Sequence, residues 1–197
     1  MSRNSVGDID TLRVGNISEH STIYGPGVRF VIWTQGCTLA CKGCWNKQFW
    51  AKSGTKVKVN SLIAQIASTE GIEGITLLGG EPLQQAEPVL KIIQAVQKLG
   101  LSVFLYTGYD VEEFDKTMQA CFDNSDIAIT GRYIQEKRDT SLRWRGSTNQ
   151  IVHTQSEFYN NLLFEERNEV EFVISEDGIV SMFGYPDEEL RSWASEI

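Results

Sequence analysis

The chain is short of histidine, proline and positive charge. It has 197 residues, with two histidines, four prolines, and 26 acidic against 18 basic side chains, a net charge of −8. Two histidines, His20 and His153, are too few for a histidine-based metal site, and a satisfied structural role is expected for each. The surplus of carboxylates argues against general nucleic-acid binding, which sets lysine and arginine against phosphate. The longest apolar runs fall far short of the roughly 20 residues that a helix needs to span a bilayer. The N-terminus lacks a basic segment followed by an apolar one, so no signal peptide and a cytoplasmic location are expected. No repeat, low-complexity tract or collagen-like composition is present. With 41% apolar and 22% charged residues, a chain of this length suits one domain with a proper core.

Cysteine is also scarce, with four in all, but three of them are clustered. In a reducing compartment such clustering points to metal rather than disulfides. Cys121 stands alone at the end of a helical pattern and reads as a small buried side chain. Cys37, Cys41 and Cys44 are spaced C-x3-C-x2-C on a short loop after an apolar run. Three thiolates so placed can hold three irons of a cubane cluster. With no fourth cysteine nearby, the fourth iron is left open to a small molecule. Structural zinc sites close their shell with a fourth ligand, and ferredoxins supply four cysteines per cluster.

Elsewhere the pattern alternates. Strands are predicted at 12–17, 28–33, 75–78, 101–106, 126–130 and 170–174. A helix capped by Asn60 or Ser61 presents Leu62, Ile63, Ile66 and Ala67, with Gly71 after it. A second presents Val89, Ile92, Ile93 and Val96 at i, i+3, i+4 and i+7, with Gly100 at its C-terminal end. Asp110 and Glu113 form a capping box for a third, reaching about Phe122. Segment 131–152 is irregular and polar, 157–166 is weakly helical, and a short helix is expected in 186–197. Such alternation implies βαβ units and a parallel sheet, with the active site at the strands' carboxyl ends. The cysteine loop, Gly79-Gly80-Glu81-Pro82, Thr107-Gly108-Tyr109 and Gly131-Arg132-Tyr133 each follow a strand, so they should gather on one face.

Two glycines at Gly79-Gly80 let backbone approach a ligand closely, and Glu81 offers an acceptor for a ligand ammonium group. Read alone, the segment is equally a turn opening a helix. Gly25-Pro26-Gly27 is explained by turn chemistry. Arg29 either pairs with a carboxylate inside the sheet end or points to solvent. Trp45 covers a cluster, stacks on a ligand or packs in the core. Trp33, Trp50, Trp144 and Trp193 read as core or interface. A basic strip, Lys137-Arg138 to Arg143 and Arg145, is either a solvated loop or a functional one.

Together, C-x3-C-x2-C and the following G-G-E-P resemble the radical S-adenosylmethionine superfamily. Several further segments resemble the small activating enzymes of anaerobic ribonucleotide reductase. They are Gly25 to Arg29, Gln35-Gly36-Cys37, Lys42 to Asn46, Tyr106 to Tyr109, and Leu142 to Gln150. Two positions depart from that pattern, Tyr24 before the Gly-Pro-Gly turn and Trp45 after the third cysteine.

The resemblance spans about 12–185 and implies an α/β fold, a partial open (β/α)6-type barrel in a single compact domain over 1–197. It implies that Cys37, Cys41 and Cys44 hold a 4Fe–4S cluster, whose fourth iron is chelated by S-adenosylmethionine. Gly79, Gly80, Glu81, Pro82, Thr107 and Trp45 would line the cofactor pocket. It implies an oxidoreductase in which flavodoxin or ferredoxin supplies an electron. The cofactor is cleaved to methionine and a 5′-deoxyadenosyl radical, which abstracts hydrogen from a backbone glycine of a large glycyl-radical partner. No side chain is needed as acid or base. Segment 132–150 is the candidate grip on that partner. The alternatives are a radical enzyme acting on a peptide or small molecule, and a non-catalytic electron-transfer module.

Overall fold

A computed structural model describes residues 10–159 and 169–194 of the protein. Its main sheet has seven strands in the order β3-β1-β2-β4-β5-β6-β7. The middle four are parallel: β2 (Arg29–Thr34), β4 (Gly74–Gly79), β5 (Ser102–Tyr106) and β6 (Ile127–Thr130). They are short apolar runs buried on both faces, as crossover helices require. β1 (Thr11–Ser21) and β3 (Thr55–Lys58) extend one side antiparallel, and β7 (Ile151–Thr154) closes the other antiparallel to β6.

Three helices connect the parallel strands: α1 (Val59–Ser68), α2 (Ala86–Lys98) and α3 (Lys116–Asp123). Their apolar stripes meet one face of the sheet. Val89, Ile92, Ile93 and Val96 of α2 are fully buried there against Phe30, Ile32, Ile75 and Leu77. Burying each such side chain stabilises the fold by roughly 2 kcal/mol relative to exposure. α2 ends as its glycine foretells: Gly100 has φ +75°, its N–H reaches Gln97 O, and the Leu101 N–H reaches Val96 O. The opposite face carries aromatic clusters, Val31, Trp33 and Leu78 with Tyr24, and Phe104, Ile127 and Ile129 with Trp144.

Two helix signals resolve differently from the sequence expectation. α1 begins at Val59, capped by Lys58 with no side-chain bond, so Asn60 and Ser61 lie inside it. Its first N–H is taken by Asp10 O, so tertiary contact replaces the cap. The Asp110–Glu113 box forms, but on a separate 3₁₀ turn, Val111–Glu113. Asp115, accepting from the N–H groups of Thr117 and Met118, caps α3. Segment 131–150 is irregular apart from the 3₁₀ turn Gln135–Lys137, and it supplies no crossover helix. Lacking one, the chain returns as antiparallel β7. Among the described residues the parallel strands therefore number four, where the resemblance implies six β/α units.

β8 (Val170–Ile174) joins no parallel sheet but pairs with β9 (Val180–Gly184) in a separate hairpin, and α4 (Glu188–Ala194) follows. Of the helical expectation over 157–166, residues Glu157–Tyr159 form a 3₁₀ turn and the rest lie outside the described residues.

Candidate active site

Four loops meet where the parallel strands end. One cavity is lined by Cys37, Cys41 and Cys44, by Gly79, Gly80, Glu81 and Pro82, by Thr107 and Gly108, and by Gly131 and Tyr133. All nine predicted site residues are among its lining, Trp45 included. Arg132 is not. Its guanidinium is tied to Glu113 and to Gly108 O, and the bonds from Arg132, with that from the Asp110 N–H, hold the Glu113 carboxyl down at about 2.

The cysteine loop is held at both ends by backbone. The Gly36 N–H donates to Phe49 O at 2.8 Å and the Cys37 N–H to Trp50 O at 3.0 Å. Gln35, nearly buried, donates its amide to Gln48 O and Ala51 O at 3.2 and 2.7 Å. Between those ties the chain curls through left-handed conformations at Ala40 (φ +48°) and Gly43 (φ +74°). A non-glycine residue in that region is uncommon and marks a backbone held by its surroundings. The Cys44 N–H closes on Cys41 O at 3.1 Å, so all three cysteines face the same space.

Gln84 fastens this loop to its neighbours. It accepts from the Thr38 N–H at 3.1 Å and donates to the hydroxyls of Thr38 (2.7 Å) and Tyr109 (3.0 Å).

Glu81 fastens the next two. Its Oε1 accepts from the Leu83 N–H and the Thr107 hydroxyl, both at 2.9 Å, and its Oε2 from the Gly108 N–H at 2.8 Å. A carboxylate has about four acceptor positions, so one on Oε2 is left for a ligand. The side chain is 1% exposed, and burial pushes its carboxyl up to about 7 despite those three bonds. Gly79 (φ +108°) lies so close to β2 that a Cβ there would sit 2.6 Å from Thr34 N and Trp33 Cα.

The three cysteines are free thiols. Burial pushes those of Cys37 and Cys41 up, so they hold their protons until a metal displaces them. Among the described residues no three Cys, His, Asp or Glu side chains close on a point as single-ion ligands do. A cubane cluster keeps its thiolates farther apart than one ion does. Three free cysteines lining one cavity with Gly79, Gly80 and Glu81 fit the cluster. Cys121 fits none of this: it is buried beneath α2, donates to Ala86 O, and its thiol is pushed up to about 12 by burial.

The remaining candidates separate cleanly. Trp45 lies outside the core clusters, with Arg191 over its ring at 5.0 Å and Tyr185 edge-on at 6.4 Å. His20 meets Glu70 O and His153 meets the Thr130 hydroxyl, each at 2.9 Å, which satisfies both. In the basic strip, Arg138 is bound to Glu188 and Pro186 O, whereas Arg143 and Arg145 line the cavity. Glu169, Gly184 and Tyr185 complete the wall. They come from the C-terminal hairpin, and no local motif announced them.

A family model for a 4Fe–4S single-cluster domain matches residues 23–153, and the chain is a protein of that class. Curated relatives narrow it. The anaerobic ribonucleoside-triphosphate reductase-activating protein of Haemophilus influenzae is 38% identical over 140 residues, covering 66% of this chain and 90% of its own. Its namesakes in Vibrio cholerae (35% identity, 66% and 90% covered) and Escherichia coli K12 (34%, 66% and 91%) match over the same length. The chain belongs to the family of anaerobic ribonucleoside-triphosphate reductase-activating proteins. The crystal structure of QueE from Escherichia coli matches 50% of this chain and 52% of its own at a TM-score of 0.40 and 17% identity, too slight a likeness to bear on the fold.

Proposed function

We propose that this activating protein installs a glycyl radical on an anaerobic ribonucleotide reductase, and that its parallel strands form part of an open (β/α) barrel. The observation that carries the reading is the meeting of three free cysteines with Gly79-Gly80-Glu81 and Thr107-Gly108 around one cavity. Cys37, Cys41 and Cys44 would hold the 4Fe–4S cluster. Gly79, Gly80, Glu81, Pro82, Thr107 and Trp45 would line the S-adenosylmethionine pocket. When bound, the reduced cluster and that cofactor would supply a 5′-deoxyadenosyl radical, leaving methionine, for hydrogen abstraction from a backbone glycine of the partner.

The chain's own contribution is position and dryness. Glu81 locks the ends of β4 and β5 together and keeps one acceptor for the cofactor's ammonium group. Gly79 and Gly80 admit backbone where side chains would not fit. Trp45, Trp50 and Tyr133 wall off water, which protects a carbon radical from stray reaction. No acid–base pair is required. The reading also takes the protein as a single domain in a reducing, cytoplasmic setting; no helix among the described residues is long and apolar enough to cross a membrane.

The test is anaerobic. The protein is reconstituted with iron and sulfide, reduced with dithionite and given S-adenosylmethionine. 5′-Deoxyadenosine is sought by mass spectrometry, then a glycyl radical by electron paramagnetic resonance after the reductase is added. Both are expected. An intact cluster that yields neither, with the reductase present, sinks the reading. Alanine at Cys37, Cys41 or Cys44 should lose iron and cleavage, whereas Cys121→Ala should keep both.

A further inference from the structure

We propose that a cationic groove on the outer side of the cysteine loop is the docking surface for a small acidic one-electron donor protein. The inference rests on the function proposed above, which consumes one electron per turnover. Beyond the clustered cysteines the chain has only Cys121, buried under α2, so it carries no second cysteine-based redox centre. The electron must come from outside, and electron transfer falls steeply with distance, so the donor has to seat close to the cysteine loop.

One surface meets that need. The groove is lined by Lys42, Cys44, Trp45 and Lys47 of the loop, faced by Arg138 and Arg191. Cys44, Trp45, Tyr133 and Tyr185 line both this groove and the inner cavity, so the wall between them is a single layer of side chains. The inner cavity is thereby left to the cofactor and the hydrogen donor, while the groove reaches Cys44 from solvent.

Charge selects the occupant. The chain as a whole carries −8, yet four cations gather here. Two carboxylates oppose them: Glu188 bridges Arg138 and Arg191, and Glu136 meets Lys42 at 3.0 Å. Both arginines are thereby held in place, and a positive surplus remains. Lys42 is 78% exposed along its side chain, and Lys47 is exposed as well. A positive patch on a negative protein steers an acidic partner to one face and repels it from the rest. In the step itself the donor loses one electron and the cluster gains it, with no atom or proton exchanged.

The test uses the reconstituted holoprotein, with flavodoxin as the acidic donor. In the double variant Lys42→Glu/Lys47→Glu, the affinity of flavodoxin measured by calorimetry at low salt should fall about tenfold or more. Wild-type affinity should weaken as salt rises. Bleaching of the cluster absorbance by reduced flavodoxin should slow in proportion, while bleaching by dithionite stays at the wild-type rate. Lys42→Arg/Lys47→Arg should restore both. The proposal is overturned by unchanged flavodoxin affinity, by equal slowing with both reductants, or by weakened binding of the reductase in place of flavodoxin. Failure of the proposed function shows separately, as no 5′-deoxyadenosine from the wild type with dithionite and reductase, and the binding measurement still decides the docking surface.

Discussion

Glu81 is the residue on which the site turns, and its chemistry can be read from its surroundings. Three donors from two loops converge on a carboxylate that burial has stripped of water. Glu81→Gln keeps the shape but turns an NH₂ group toward the Gly108 N–H or the Thr107 hydroxyl. A buried unsatisfied donor costs on the order of 1–3 kcal/mol, so the variant should melt several degrees lower and bind S-adenosylmethionine weakly. Calorimetry on the pure variant checks both. The same burial sets a pH dependence. The folded Glu81 holds its proton up to about 7, against 4.5 ordinarily. Across that window the folded chain binds the proton more tightly than the unfolded one, so stability is lost as pH rises. Urea midpoints of the metal-free protein at pH 5 and pH 8 should diverge more for wild type than for Glu81→Gln. Equal divergence would mean that Glu81 does not titrate there.

At the scale of elements, the strand ends decide what each loop can hold. Gly79 closes β4 against β2 at φ +108°, with backbone atoms of Trp33 and Thr34 where a Cβ would go. Gly71, after α1, is also left-handed (φ +77°) but has nothing within 4 Å. Gly71→Ala should therefore cost only the conformational strain, on the order of 1 kcal/mol. Gly79→Ala adds a backbone clash, should exceed about 3 kcal/mol, and should loosen the join between the cysteine loop and β4. Thermal melts of the two variants compare them directly. The sequence carried these elements unevenly. Strands β2, β4, β5 and β6 were legible because a central parallel strand must be apolar on both faces, and α2 because its stripe and its glycine agree. The edge strand β3, Thr55-Lys56-Val57-Lys58, is mostly exposed and polar, so nothing but its pairing with β1 makes it a strand. The start of α1 was misread because Asp10, far away in sequence, supplies the acceptor that a cap would have supplied. The cavity's main motifs each follow a strand and could be read. Glu169, Gly184 and Tyr185 reach it only through tertiary packing of the hairpin.

Taken whole, the molecule separates stability from chemistry along its strands. At the carboxyl ends lie the cysteines and the cavity. At the amino ends lies Arg29, 1% exposed, whose position the sequence left open. Its guanidinium donates to Ile75 O at 2.5 Å and Ser102 O at 3.1 Å, to the Ser102 hydroxyl at 2.6 Å, and to Pro26 O at 3.4 Å. It joins the starts of β4 and β5 to the Gly25–Gly27 turn, with no carboxylate of the described residues within bonding distance, and burial lowers its pKa. Lysine offers one ammonium in place of that planar fork and cannot reach all these acceptors at once. Arg29→Lys should therefore destabilise the fold by about 3 kcal/mol, leaving buried carbonyls unpaired, while the folded fraction still takes up iron like the wild type. Cys41→Ala should do the reverse, with the melting point of the metal-free protein nearly unchanged and iron lost. Measuring melting temperature and iron content on both variants tests the separation. If Arg29→Lys, kept well below its melting temperature, also fails to bind iron, the two ends of the sheet are coupled and the division is wrong.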